Sequence, residues 1–214
     1  LEMGRHKDAM RVLNAGFDLN PDYEPLLVIR EDVLLKAAEK TLAEAIEKQR
    51  NTIYDINQEA ALHVERCRID LAHQQIAFCE ARLQRHPDQL VLLIPWAQAL
   101  RALDRCEEAV PLLRRAAENP HLRCEAMFAC GQSLEQTQKP LEALSAYRIA
   151  AYYRLPPPEP AIQNAAMEKA FALADKLGMV DAARRLGRDL LPAKQGDEHH
   201  KLHKRIEVLN RTPL

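Results

Sequence analysis

A pattern of small and large apolar residues recurs in this chain at a regular interval. The pattern is small, large, small at positions i, i+4 and i+7, which is the spacing of one helical face. Two sets of residues carry it: Ala109, Leu113 and Ala116, and then Ala143, Tyr147 and Ala150. Two antiparallel helices approach closely only where a small residue faces the partner and a large residue fills the space beside it. Because an interval of about 34 residues is typical of a repeated helix pair, the recurrence predicts an array of stacked helix pairs.

The composition favours an all-α fold. Glycine supplies 6 of the 214 residues, under half of the average share of about 7%. Short strands joined by tight turns need glycine for positive φ, so β-sandwiches and barrels are excluded. Ala and Leu dominate the apolar residues, which favours helix. A formal net charge of -1 removes the electrostatic argument for a nucleic-acid partner. The sequence lacks a run of ~18 apolar residues, so we expect no insertion into a membrane.

The start of the chain carries the same pattern and ends it with a proline. Four residues there occupy the small, large, small and helix-ending positions: Ala9, Leu13, Gly16 and Pro21. Ala43 follows Ala9 at the same interval that separates Ala109 from Ala143. These residues resemble degenerate, bacterial-type tetratricopeptide repeats, and Gly131 matches the glycine of the first helix in that family's repeat. The resemblance implies an all-α, right-handed superhelical solenoid of antiparallel helix pairs.

The repeat-like region spans residues 1–192 as about five to six repeats. The register is hardest to define over residues 56–87, where the sequence from Ala60 to Gln84 lacks a Gly or Pro turn. A stiff extended spacer is expected at residues 156–160, which are four prolines and one glutamate. Because the first repeat lacks most of its first helix, we expect the chain to be a piece of a longer array.

The last repeat and the C-terminus follow this spacer. The last repeat is built around Ala182 and Leu186, after Gly178. Residues 193–214 are predicted to form a polar hinge and a C-terminal capping helix, because solenoids need a polar end. Three apolar residues are expected on the buried face of that helix: Leu202, Ile206 and Leu209.

Sequence motifs for catalysis or cofactor binding are lacking, so we expect no enzyme activity and no cofactor. Ser133 and Ser145 are the only serines and lie outside any nucleophile elbow, and no glycine-rich phosphate loop is present. His199 and His203 share a helix face, but a solvated tail is the favoured interpretation over a metal site. The five cysteines lack disulfide or metal spacing and are predicted as core thiols of a cytoplasmic protein, with a periplasmic location as the alternative.

The resemblance implies a concave groove lined by the first helices of successive repeats. It places seven side chains there: Gln98, Arg101, Phe128, Gln132, Glu135, Asn164 and Phe171. Phe128 and Phe171 in a groove would be unexplained apolar exposure unless a partner covers them, and amide side chains can hydrogen-bond a peptide backbone. An equally weighted alternative is a register shifted by one residue, in which these side chains pack between repeats.

We therefore expect a protein–protein interaction scaffold that binds a peptide or a partner helix, with Arg101 and Glu135 giving charge selectivity. The chaperone-binding subtype is not expected, because its Lys and Asn pair is absent from the corresponding positions. An alternative function is a regulatory or recruiting repeat segment of a larger enzyme or of a secretion or polysaccharide-export assembly. A third hypothesis is a metal-dependent enzyme that uses His199 and His203.

Overall fold

A computed structural model of the chain describes residues 6–20, 23–50, 57–154 and 160–211. In these residues the regular structure is helical and no strand is present, which confirms the predicted all-α class for this part of the chain. Its α-helices are α1 His6–Leu19, α2 Glu24–Arg50, α3 Asn57–Arg85, α4 Leu93–Ala102, α5 Cys106–Ala116, α6 Arg123–Gln136, α7 Pro140–Ala151, α8 Pro160–Lys176, α9 Val180–Leu190 and α10 Gly196–Arg211.

The chain divides into two compact units. The first unit, Leu1–Arg105, contains α1 to α4, and the second unit, Cys106–Leu214, contains α5 to α10. Pro21 lies outside the described residues, as does the predicted proline spacer apart from Pro160, which begins α8.

Two long uninterrupted helices occupy most of the first unit, where the repeat pattern predicts short helix pairs. Helix α2 has 27 residues and α3 has 29, so each is roughly 40 Å long at 1.5 Å per residue. Neither contains a glycine, and Pro25 lies in the first turn of α2, where proline is tolerated. Ala43, predicted to face a partner helix, is exposed, whereas Ala45 is buried. The short-pair prediction is therefore wrong for α2 and α3.

Apolar and ionic contacts hold α2 against α3 in an antiparallel hairpin. A buried apolar cluster joins the end of α2 to the beginning of α3: Ala45, Val64 and Cys67. Nearer the start of α2, Arg85 donates to Glu31 at 2.5 Å and Arg82 donates to Asp32 at 3.1 Å. Charge-assisted hydrogen bonds of this kind are directional, so they fix how the two helices are aligned along their length.

In the second unit each helix packs against the next one, from α5 to α10, and α6 also contacts α8. The predicted small and large positions form the core of this stack, and all six are fully buried: Ala109, Leu113, Ala116, Ala143, Tyr147 and Ala150. In α9, the predicted large residue Leu186 is buried as expected, whereas the fully buried small residue is Ala183 and not the predicted Ala182, which is half-buried. The three buried residues of α10 are those expected: Leu202, Ile206 and Leu209.

The same backbone turn ends α4, α6 and α8. One residue of each turn has positive φ: Asp104 at 57°, Gln138 at 57° and Gly178 at 68°. The next N–H donates at 2.9 Å to a carbonyl five residues earlier: Arg105 to Leu100, Lys139 to Leu134, and Met179 to Ala174. This geometry is a Schellman-type helix end. The intervals between the three turns are also the intervals between three buried alanines: Ala109, Ala143 and Ala183.

Candidate functional site

Helix α6 has a narrow row of side chains that the core does not enclose. Half of its residues are buried: Cys124, Ala126, Ala129, Cys130, Gly131, Ser133 and Leu134. Phe128 and Gln132 are half-buried and Glu135 is exposed, and their spacing puts them on one helical face. We call these three residues the α6 strip. They are the α6 residues that the sequence pattern places in the groove.

Phe128 is held in place by packing within the second unit. Its ring centroid lies 5.8 Å from that of Tyr147, with the two ring planes tilted by 50°, an arrangement that aromatic pairs favour. The ring also packs against a buried cluster from α7 and α8: Ala150, Ala151 and Ala166. The part of Phe128 that remains accessible is therefore presented on a fixed support.

Glu135 connects three helices at one end of the α6 strip. The Tyr147 hydroxyl of α7 donates to Oε2 of Glu135 at 2.8 Å, and Nζ of Lys169 in α8 lies 3.6 Å from the same oxygen. The side chains of Lys169 and Glu135 are 50% and 40% exposed, and an ion pair in such a setting contributes only ~0–1 kcal/mol. A basic group of a ligand can therefore compete with Lys169 for this carboxylate.

The α8 residues predicted for the groove have different surroundings. Asn164 is exposed. Phe171 is half-buried and packs against an apolar cluster from α9 and α10: Leu190, Leu202 and Ile206. Helix α10 thus covers part of the apolar surface that the sequence left unexplained at Phe171. Met167 packs against this cluster and also against the one that supports Phe128.

The other two predicted residues belong to the first unit. Gln98 and Arg101 lie on α4, where Gln98 is exposed and Arg101 is half-buried. The remaining five lie in the second unit on α6 and α8, two helices that contact each other. Lys169 is part of this surface and was missed by the sequence pattern. The opposite charges of Lys169 and Glu135 could have suggested that the two side chains pair. The sequence alone, however, does not show which faces of α6 and α8 meet.

The described residues contain no group of three or more His, Cys, Asp or Glu side chains that could hold a metal ion. His199 and His203 are exposed, with stacked rings whose centroids are 6.3 Å apart. All five cysteines are buried free thiols. Burial raises the pKa of Cys130, and raises the pKa of Cys79 to about 11, which disfavours the reactive thiolate. Among the described helices, none combines the length and the apolarity needed to cross a membrane.

No protein-family model matches the chain, and no curated protein matches its sequence. Its function is therefore inferred from its own residues.

Proposed function

We propose that this protein is a tetratricopeptide-like helical solenoid that acts as a protein–protein interaction scaffold and binds a peptide or a partner helix along the α6 strip and the adjoining part of α8. The binding proposal rests mainly on the partial exposure of Phe128. This residue keeps part of an aromatic ring accessible on a rigid support, next to polar side chains that can hydrogen-bond a ligand.

The repeat part of the proposal is supported by two features that recur together. Schellman-type turns occur at Asp104, Gln138 and Gly178. A fully buried alanine follows each of them five residues later: Ala109, Ala143 and Ala183. The interval from the second turn to the third is longer than that from the first to the second, and the intervals between the alanines differ in the same way. The offset between turn and alanine therefore stays constant although the repeat length changes. A turn and a close helix contact that keep a constant offset are what a duplicated helix pair would conserve in its geometry.

A bound ligand would use three kinds of contact in the second unit. An apolar side chain would cover the accessible part of Phe128, which is favourable by ~25 cal/mol per Å² of apolar surface buried. The amides of Gln132 and Asn164 each offer donors and an acceptor to a peptide backbone. A basic side chain would replace Lys169 beside Glu135. Gln98 and Arg101 stay a sequence-based prediction for the surface of the first unit.

Selection of a random peptide library on the full chain, followed by fluorescence anisotropy of the selected peptides, tests the proposal. Phe128→Ala is expected to weaken binding at least about tenfold, which corresponds to ~1.4 kcal/mol, because the apolar contact is lost. Gln132→Arg should weaken binding to a similar degree, since its long charged side chain would obstruct the strip.

Leu141→Arg is the matched control. Leu141 is exposed on α7, so the substitution adds the same charge outside the strip and should leave the affinity unchanged. Circular dichroism must show that Phe128→Ala keeps its helix content. A selected peptide that binds Gln132→Arg as tightly as the original chain contradicts the proposal, and so does a library that yields no binder. Unfolding of Phe128→Ala would show that this ring is structural.

A further inference from the structure

A cleft lies in the second unit between residues of α7 and α9, away from the α6 strip. Its volume is about 230 Å³, and six residues line it: Arg148, Tyr152, Asp181, Ala182, Arg185 and Leu186. Tyr152 directly follows α7, and its hydroxyl donates to Asp189 of α9 at 2.6 Å. This hydrogen bond ties the two walls of the cleft together.

The carboxylates around this cleft already have hydrogen-bond or ion-pair partners, whereas no acidic partner of its two arginines lies among the described residues. Asp189 accepts the hydrogen bond from Tyr152, and Asp181 pairs with Arg184 at 3.3 Å. Within the described ranges, neither Arg148 nor Arg185 forms an ion pair or a side-chain hydrogen bond. Both are exposed, and both contribute to the lining. Two guanidinium groups on opposite walls, each with a planar fork of donors, suit an oxyanion that can be bound from both sides.

Tyr152 reduces the repulsion that an anion would meet here. Burial, with the hydrogen bond and the charge of Asp189, raises the pKa of Tyr152 to about 12. The phenol, which is neutral near pH 7 even at the ordinary tyrosine pKa of ~10, directs its proton at Asp189 and so offsets part of the negative charge of that carboxylate. The Tyr152 ring, which is 37% exposed, provides apolar surface beside Arg148 in the lining of the cleft.

We propose that the cleft between α7 and α9 binds an acidic side chain of a protein partner, a carboxylate or a phosphate group held between Arg148 and Arg185, with a neighbouring apolar side chain of the partner against the Tyr152 ring. This site shares no residue with the α6 strip. The two sites can therefore be tested independently, and together they would let the chain bind two segments of a partner at once.

Three labelled peptides of one sequence test the site on the full chain by fluorescence anisotropy. Each places a phenylalanine beside one variable position, which is glutamate, phosphoserine or glutamine. The glutamate and phosphoserine peptides should bind and the glutamine peptide should not, and the tighter of the first two identifies the group as carboxylate or phosphate. Arg148→Gln and Arg185→Gln should each weaken binding about tenfold, because each removes a charged hydrogen-bond donor. Arg148→Lys should have a smaller effect, since it keeps the charge and loses the fork.

A control completes the experiment. Lys204→Gln removes an equal charge from an exposed position on α10 and should leave the affinity unchanged. Equal binding of the glutamine peptide, full affinity in both arginine variants, or no binding of either acidic peptide would overturn the assignment.

Discussion

Replacing Gly131 by alanine tests the close approach of α6 and α7. A Cβ atom at this position would lie 2.6 Å from both Cδ1 and Cε1 of Tyr147, about 1 Å inside the ~3.5–4.0 Å at which carbon atoms normally pack. Tyr147 is fully buried, and its hydroxyl donates to Glu135. The ring therefore cannot move aside without giving up packing and that hydrogen bond.

Two opposing effects set the size of the change. In an exposed helix, Gly→Ala raises the free energy of unfolding by ~1 kcal/mol. Overpacking of a core costs about 1–3 kcal/mol, and loss of the Tyr147 hydrogen bond costs a further ~0.5–1.5 kcal/mol. We therefore expect Gly131→Ala to lower the free energy of unfolding by about 1–3 kcal/mol, although the substitution improves helix propensity.

Urea unfolding followed by far-UV circular dichroism measures the change. With an m-value of ~2 kcal/mol/M, a loss of about 2 kcal/mol lowers the unfolding midpoint by about 1 M. Gly16→Ala in α1 is the comparison. Its Cβ would meet Cδ1 of Leu26 at 2.8 Å, but this atom ends a flexible, half-buried side chain that can rotate away. The midpoint of Gly16→Ala should therefore stay constant or rise.

A double-mutant cycle assigns the effect to the contact with Tyr147. Leucine at position 147 lacks the ring atoms that meet the new Cβ, so Gly131→Ala should become stabilising in a Tyr147→Leu background. A higher midpoint for Gly131→Ala in the original background would refute the close approach. Equal losses in both backgrounds would show that the strain arises elsewhere.

The remaining expectations concern α10, the cysteines and Tyr152. Ile206→Ala should lower the free energy of unfolding by about 2–4 kcal/mol, because Ile206 lies in the buried cluster of α9 and α10. Arg205→Ala removes a surface ion pair with α8 and should lower it by less than ~1 kcal/mol. Urea unfolding of both variants measures this difference. Cys79 is fully buried with a raised pKa, so a thiol reagent should modify it only after unfolding, and prompt reaction of the native chain would contradict this. Near-UV absorbance titration, compared with Tyr152→Phe, should show ionisation near pH 12, and Asp189→Asn should lower that pKa. Because the folded-state pKa of Tyr152, about 12, exceeds the unfolded value of ~10, its stabilising effect is complete below pH 10 and is lost as the pH rises to 12.

Turn chemistry explains why the second unit was predictable from sequence. Its helices are short, and Pro140 and Gly178 mark where they begin or end. With the ends fixed, the spacing of small and large residues identifies the faces that meet, and Gly131 and Tyr147 are in contact as the pattern implies. The face of α10 could be read for the same reason, since Gly196 begins that helix.

The long helices of the first unit could not be divided correctly because residues 26–86 contain no Gly or Pro to mark a helix end. Helix α2 therefore continues past Ala43, and helix propensity outweighs a partial match to a repeat. The pairing of Glu31 with Arg85, which aligns α2 with α3, joins residues 54 positions apart. A pattern read within one helix contains no information about such a contact.

The groove residues show the same dependence on turns, now at the level of single side chains. The α6 strip can be aligned with α8 by counting residues back from the turn that ends each helix, which is at Gln138 for α6 and at Gly178 for α8. In this alignment the α8 counterparts of Phe128, Gln132 and Glu135 are Glu168, Ala172 and Asp175. A helix rotates by about 100° per residue, so an error of one residue in the alignment would select side chains on a different face. The turns, and not a fixed repeat length, therefore determine which α8 side chains correspond to the α6 strip.

These counterparts give the continuation of the strip on α8 an acidic character. Lys194 lies 2.6 Å from Glu168, and Arg205 lies 2.7 Å from Asp175. Together with Lys169 beside Glu135, each of these three carboxylates thus has a basic partner within the chain. A ligand with basic side chains would have to displace these partners, so its charges would contribute more to selectivity than to affinity, and the apolar contact with Phe128 would supply most of the binding free energy.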